Sequence, residues 1–215
     1  MAKPRDPTLR AALLQAASHV FAQQGFARAA MDAIGAAASV TKGGVYFHFA
    51  SKEALFAATL DLWQDQLDKA LDGAESGLPR GADRLRATLH DWLRFHFAYP
   101  VVGQLRRVHA AELRGRFLSE VRRALGSPQQ ALRARLRRLL GEGLADGSLY
   151  VVDPALAAFA LAATLEGCVL QKEIAPQEVA PFCDPEALAD GIVGPLLVVP
   201  GPRFVEGADR YQPPF

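Results

Sequence analysis

Residues 31–52, MDAIGAAASVTKGGVYFHFASK, hold two short apolar-periodic segments joined by a tight turn. Met31, Ile34 and Ala38 recur at helical spacing, so one face of the first segment is apolar while Asp32 and Ala33 point elsewhere. In Ser39-Val40-Thr41, Thr41 is placed to cap a new helix by accepting a backbone N–H, and Val40 to fill the angle between the helices. The second segment runs from Lys42 to about Phe49, with Val45 and Phe49 facing inward and Lys42, Gly44, Tyr46, Phe47 and His48 outside. Helices this short do not stand alone, and two large rings gain nothing from water. The layout is that of a helix-turn-helix, which implies a reader of DNA.

On the N-terminal side, Thr8 is a candidate cap for an amphipathic helix carrying Leu9, Leu13, Ala16, Val20 and Phe21 and ending at Gly25. Its apolar face, with Phe26, forms the back wall of the motif. On the other side Ser51 caps a helix whose first turn carries Glu53. Phe56, Leu60, Trp63, Leu67 and Leu71 continue its stripe until Asp72-Gly73. This linking helix, about 51–72, belongs to both halves of the molecule, so a ligand that moves its far end moves the motif.

Gln24-Gly25-Phe26, Ile34, Val40-Thr41-Lys42-Gly43, Val45-Tyr46-Phe47-His48-Phe49 and Ser51-Lys52-Glu53-Ala54-Leu55 together resemble the DNA-binding domain of the TetR/AcrR family of transcriptional regulators, over residues 9 to 56. The remaining three quarters resemble that family only in length, helical pattern and order of segments. The resemblance implies a DNA-contacting set of Thr41, Lys42, Gly43, Gly44, Tyr46, Phe47, His48 and Lys52. Lys42, Gly43 and Gly44 would lie against base edges, Tyr46, His48 and Lys52 on phosphates, and Phe47 at a variable position touching base methyls or sugar. A phenol, an imidazole and an ammonium suit phosphate oxygens, whereas base edges need an exposed helix face. Three positions depart from the family pattern. Ala29 stands where a Thr or Ser usually caps the first motif helix, removing a contribution of about 1 kcal/mol. Ser39 replaces the usual turn Gly, where a positive φ would be awkward, and Gly44 replaces a frequent Thr, removing a phosphate donor while letting the backbone approach more closely.

At 215 residues, half of them hydrophobic, the chain can bury a substantial core. No run approaching ~20 apolar residues is expected to span a membrane, and residues 1–10 do not read as a signal peptide, which places the protein in the cytoplasm. Of two cysteines, Cys168 reads as a small core residue and Cys183 as a loop thiol. Net charge is only +1, but residues 1–52 carry Lys3, Arg5, Arg10, Arg28, Lys42 and Lys52 against Asp6 and Asp32, a net of +4. The positive end is thus the end with the motif, as counterion displacement from phosphates requires.

Further helices are predicted over 84–99, 101–113 and 115–125. Three X-Pro starts then open helices at Ser127-Pro128, Asp153-Pro154 and Asp184-Pro185, running to Gly147, about Glu173 and the Gly194-Pro195 break. The last two are rich in Ala and Gly and apolar over much of their circumference. They are expected to pair with their copies in a homodimer, through about 154–173 and 185–199. Between 103 and 138 lie ten arginines (106, 107, 114, 116, 122, 123, 133, 135, 137 and 138) against Glu112 and Glu120, a net of +8. Most are expected to be solvated or paired with the acidic C-terminal end; one or two could instead face inward and bind an anionic effector. Trp92, Phe95, His96, Tyr99, His109, Phe159 and Thr164 supply the rings and scattered polar atoms of a small-molecule pocket. His90, His96 and His109 form no metal-ligand pattern, and neither metal nor cofactor is expected.

These readings converge on an all-α protein. An N-terminal three-helix helix-turn-helix DNA-binding domain (1–52) precedes a C-terminal helical ligand-binding and dimerisation domain (53–200) and a tail (201–215). The expected function is a ligand-responsive repressor that binds a palindromic operator as a dimer. The alternatives are a TetR-like activator or an all-α small-molecule-binding enzyme or carrier. Against an enzyme stands the lack of a Gly-rich phosphate loop, of paired Glu-x-x-His motifs and of a partnered nucleophile.

Overall fold

The computed structural model describes residues 7–112 and 128–197. Lys3 and Arg5, the helix expected over 115–125, four of the ten arginines (114, 116, 122 and 123) and the C-terminal tail lie outside the described residues. Within them the fold is all-α, the sole extended pairing being an isolated antiparallel bridge between Leu149 and Leu197.

The N-terminal unit comprises α1 (Pro7–Arg28), α2 (Met31–Ala37) and α3 (Lys42–His48). Helix α1 starts at Pro7, ahead of the expected cap Thr8, because proline is tolerated in a first turn. It is broken at Gly25, whose φ of 76° suits only a residue without Cβ. The break turns Phe26 back against Phe21 and Phe56, with ring centroids 5.9 and 5.3 Å away. Around these rings Leu13, Ile34, Val45 and Leu55 are fully buried.

Helix α4 (Lys52–Glu75) starts as expected, with Ser51 Oγ accepting from the Ala54 N–H at 3.1 Å. It passes through Gly73, where a stop was expected, and ends two residues later. Glu75, in its last turn, accepts from Arg135 and Arg138 on α7 (Pro128–Ala145) at 2.7 and 2.6 Å, so tertiary ion pairs hold the end that local propensity would fray. Burial acts to raise the Glu75 pKa, but hydrogen bonds from Arg138 and Arg135 outweigh it and hold the carboxyl below its usual range.

Helix α5 (Gly81–Ala98) begins three residues earlier than expected. Its first free N–H groups, on Gly81 and Ala82, donate to Asp146 Oδ2 at 2.6 Å and Ser148 Oγ at 3.0 Å. These partners lie just beyond the end of α7. Helix α6 (Pro100–Glu112) packs against α1 and α4. Helix α8 (Pro154–Ile174) is capped by Asp153, which accepts from the N–H groups of Ala155 and Leu156. A short α9 (Pro176–Val179) and a 3₁₀ turn (Ala180–Phe182), neither of them expected, precede α10 (Pro185–Val193). Asp184 caps α10, and Gly194–Leu196 ends it as a 3₁₀ turn.

The buried apolar residues form one continuous cluster from Leu13 to Val193. At its edge the half-buried Cys168 packs against the core, as expected, and burial raises its thiol pKa. One expectation fails on α8: its 21 residues are long and apolar enough to cross a membrane by length and composition. One face, with Leu161, Leu165 and Val169, lies in the core. The opposite face leaves Leu156, Phe159, Leu170 and Ile174 exposed, at the spacing of a single helical stripe.

Candidate functional site

Helices α2 and α3 meet at Gly35. A Cβ built there would lie 2.8 Å from the Val40 carbonyl oxygen, and the Val40 N–H donates to the Gly35 carbonyl at 2.8 Å, so the turn can fold back only over a glycine. Ser39 occupies the left-handed region with φ 58°, so the positive φ of the turn is carried by a residue with a Cβ. Helix α2 lacks a side-chain cap: its N-cap is Ala30, one residue after the expected position, and Ala29 is buried. Thr41 caps α3 as expected, its Oγ1 accepting from the Gly44 N–H at 3.2 Å.

This geometry leaves one face of α3 open. Tyr46 and Phe47 are each 45 % exposed, large for rings with no internal role to fill. A Cβ at Gly43 would meet only Thr41 Oγ1, at 3.9 Å, so no packing inside the chain demands glycine there. Lys42 is exposed and pairs with Asp32 at 3.0 Å, a hydrogen bond that raises the pKa of its ammonium.

Two residues of the implied DNA-contacting set depart from expectation. His48 is buried, not outside; its ring lies edge-on to Phe47, centroids 5.4 Å apart, and its Nδ1 has no hydrogen-bond partner. The one-residue step from Phe47 to His48 turns the side chain about 100° around α3, onto the core side. Lys52 does not project toward the open face. Its Nζ donates to the carbonyls of Phe26, Ala27 and Ala29 at 2.8, 3.2 and 3.0 Å and lies 4.7 Å from the Phe26 ring centroid. All three donors of the ammonium are thereby used on the chain end that the Gly25 break exposes.

In the larger half, Trp92, His96 and His109 border an inner cavity of about 70 Å³ between α4, α5, α6 and α7. Phe95 and Tyr99 lie instead in a ring cluster with Trp63, at centroid distances of 6.2 and 5.3 Å. Phe159 and Thr164 are on the exposed face of α8, where Thr164 Oγ1 donates back to the Ala160 carbonyl. An evenly apolar helix gives no sequence signal of which face turns inward. The α4 wall (Leu60, Trp63, Gln64, Leu67) and Arg106 and Arg135 also border it; the sequence allowed one or two arginines to face inward but did not say which, and the α4 wall was not foreseen.

Of the arginines, Arg106 and Arg107 pair with Glu166 and Glu173 on α8, as expected of the acidic end. Arg138 pairs with Glu142, also of that end, and with Glu75 on α4, whereas the partners of Arg135 are Asp72 and Glu75 on α4. His96 is 2 % exposed, and burial lowers its pKa to about 3 against the opposing hydrogen bond to the Trp92 carbonyl. Its imidazole is therefore neutral. Among the described residues no group of three or more His, Cys, Asp or Glu is placed to hold a metal.

Residues 13–59 match the family described as bacterial regulatory proteins, tetR family. The A-factor receptor protein of Streptomyces griseus is 51 % identical over 49 residues, 23 % of this chain and 18 % of that protein. The HTH-type transcriptional activator FasR of Mycolicibacterium smegmatis is 39 % identical over 95 residues, 43 % of this chain and 42 % of that one. Residues 13–59 are thus similar to the tetR family. In both relatives the matched segment is less than half of the relative's own length. The fold likeness runs further: AibR, solved in complex with isovaleryl coenzyme A and operator DNA, superposes with a TM-score of 0.67 over 88 % of this chain and 98 % of its own, at 22 % identity.

The tetR-family match ends within α4, just past the Ser51 cap and the Lys52 clamp. The family motif and the tertiary contacts that orient α3 are thus the same short piece of chain.

Proposed function

We propose that this chain is a dimeric, ligand-responsive transcriptional regulator that binds an inverted-repeat operator through α3 of each protomer. The observation that carries this reading is the open face of α3, where the half-exposed rings of Tyr46 and Phe47 stand beside Lys42 and the bare backbone of Gly43. Residues 1–52 act as the reading head, 53–200 as the sensing and pairing body, and 201–215 as a tail. Thr41, Lys42, Gly43, Gly44, Tyr46 and Phe47 meet the DNA. His48 and Lys52 support that surface from behind.

Two heads on one operator need a twofold pair whose recognition helices lie about one DNA turn apart. The exposed stripe of Leu156, Phe159, Leu170 and Ile174 supports pairing through α8, with α10 beside it. This stripe also accounts for the membrane-like composition of α8 in a protein that works in the cytoplasm. A ligand in the body acts through differential affinity: it binds better to the state whose heads have the wrong separation. We assign the protein as a repressor. The FasR relative, named as an activator, is the specific reason to keep that sign open to measurement.

The test is selection from a random duplex pool by the purified protein, repeated with Tyr46→Ala plus Phe47→Ala. The expected result is an enriched inverted repeat that the double variant loses. A folded protein that enriches no sequence, or a double variant that enriches the same one, would overturn the assignment. Transcription from a promoter carrying the selected site, with and without the protein, then gives the sign.

A further inference from the structure

Three hollows meet at His96, and two of them also at Arg106. Beside the inner cavity, a second hollow of about 310 Å³ opens between α5, α6 and α8, and a third of about 380 Å³ lies toward α9. His96 borders all three, and Arg106 borders the first two. Arg106 Nη2 donates to Glu166 Oε1 at 2.7 Å, and its Nη1 lies 3.4 Å from His96 Nε2. His96 Nδ1 is 2.9 Å from the Trp92 carbonyl, an acceptor only, so the proton is on Nδ1 and Nε2 offers its lone pair to the guanidinium.

We propose that Arg106 anchors the anionic head of an amphipathic ligand, the head replacing Glu166 in the second hollow while an apolar tail enters the inner cavity. This rests on the ligand-responsive reading above and narrows its ligand to a single-headed carboxylate or phosphate ester.

The ion pair is asymmetric. The Arg106 side chain is 17 % exposed and fixed by His96 on one side, whereas the Glu166 side chain is 42 % exposed. Stranding the guanidinium without an anion costs far more than letting a half-exposed carboxylate rotate into water, so Glu166 is the exchangeable member. An incoming carboxylate or phosphate restores the charge-assisted bonds; a neutral or cationic head does not. Arg107 also borders the second hollow, but its guanidinium is already paired with Glu173, which leaves Arg106 as the anchor.

On the tail side Leu60, Leu67, Val102, Leu105 and Leu132 give the inner cavity an apolar wall, with Gln64, Asp68, His109, Gln129 and Arg135 elsewhere on its border. Its volume is far below the ~300–1,000 Å³ usual for ligand sites, so a tail can enter only by pushing its walls apart. The α4 wall is part of that lining, which places the displacement on the helix that begins at the Lys52 clamp.

Both tryptophans of the chain, Trp63 and Trp92, border the inner cavity, so intrinsic fluorescence reports its occupancy. The full-length protein is titrated with octanoate, octanol and octylammonium, and with the twelve-carbon set below its micelle concentrations. The proposal expects the carboxylates to bind at least tenfold more tightly than either other head. Arg106→Gln should weaken carboxylate binding at least tenfold while leaving the alcohol unchanged, and Glu166→Gln, which removes the competitor, should tighten it severalfold. Equal affinity for all three heads, no response to any probe, or a weakened carboxylate in Glu166→Gln would each overturn it. If Arg106→Gln does not fold, the head series and Glu166→Gln decide alone. Operator binding is measured separately without probe. Head selectivity lost with DNA binding intact removes only the ligand class; selectivity kept without DNA binding removes only the regulator reading.

Discussion

Trp63 on α4 donates its indole N–H to Ser18 Oγ on α1 at 2.8 Å, and Ser18, wholly buried, donates in turn to the Leu14 carbonyl at 2.8 Å. The same indole borders the inner cavity. One side chain therefore touches both the space where a ligand would sit and the first helix of the reading head.

Ser18→Ala would leave the indole N–H buried without its acceptor, so it is expected to destabilise the fold by about 1–3 kcal/mol. Trp63→Phe removes the donor but also leaves a void. Urea denaturation measures both. If the bond carries ligand-driven motion, Ser18→Ala should retain operator binding and lose part of its release by ligand; unchanged release would argue against that role.

Lys52→Ala separates a clamp from a phosphate contact. Loss of one phosphate contact lowers the slope of log affinity against log salt by about 0.9. Lys52 spends its donors on three carbonyls, so the substitution should lower stability by about 1.5–3 kcal/mol and weaken DNA binding without changing that slope. Lys42→Ala, on the open face, should reduce the slope. Salt titrations of the two variants distinguish the roles, and a reduced slope for Lys52→Ala would show that the side chain swings out to the DNA.

Ser39→Gly is expected to stabilise the protein by about 0.5–1 kcal/mol in chemical denaturation. The left-handed conformation costs a residue with a Cβ about 1–2 kcal/mol, of which glycine gives back part through its greater unfolded-state freedom.

Acid should weaken the fold beginning near pH 6.5, before carboxylates protonate. His96 has a folded pKa of about 3, below its unfolded value, so the unfolded chain binds the extra proton first. Stability is then fully present above about pH 6.5 and falls as pH drops toward 3, by up to about 1.4 kcal/mol per unit. Glu75, also depressed, adds loss in the same direction but only below about pH 4.5. His96→Gln should flatten the stability profile between pH 4.5 and 6.5, as measured by unfolding at fixed ionic strength.

Phe159→Glu tests the exposed stripe of α8. The ring is 57 % exposed in the single chain, so its replacement should leave helical content unchanged. In a twofold interface it would bury two like charges face to face. Sedimentation should show a dimer becoming monomer, with loss of operator binding; a dimer that survives would move the interface elsewhere.

The sequence by itself determined the helices with local starts and the motif they frame. Thr41, Ser51, Asp153 and Asp184 cap helices from within three residues, and the apolar spacing of Met31, Ile34 and Val45 places one face inward. These are short-range relations, written in neighbouring positions. Only the tertiary structure decided the rest. Helix α5 starts at Gly81 because Asp146 and Ser148, about 65 residues away, accept from its first N–H groups. Lys52 and His48 have side chains suited to phosphate, yet Lys52 is captured by carbonyls more than twenty residues distant and His48 is turned to the core. Phe159 and Arg106 were equal candidates with their neighbours until packing set the rotation of α8 and α6, since a helix apolar or cationic on several sides has no unique inward phase.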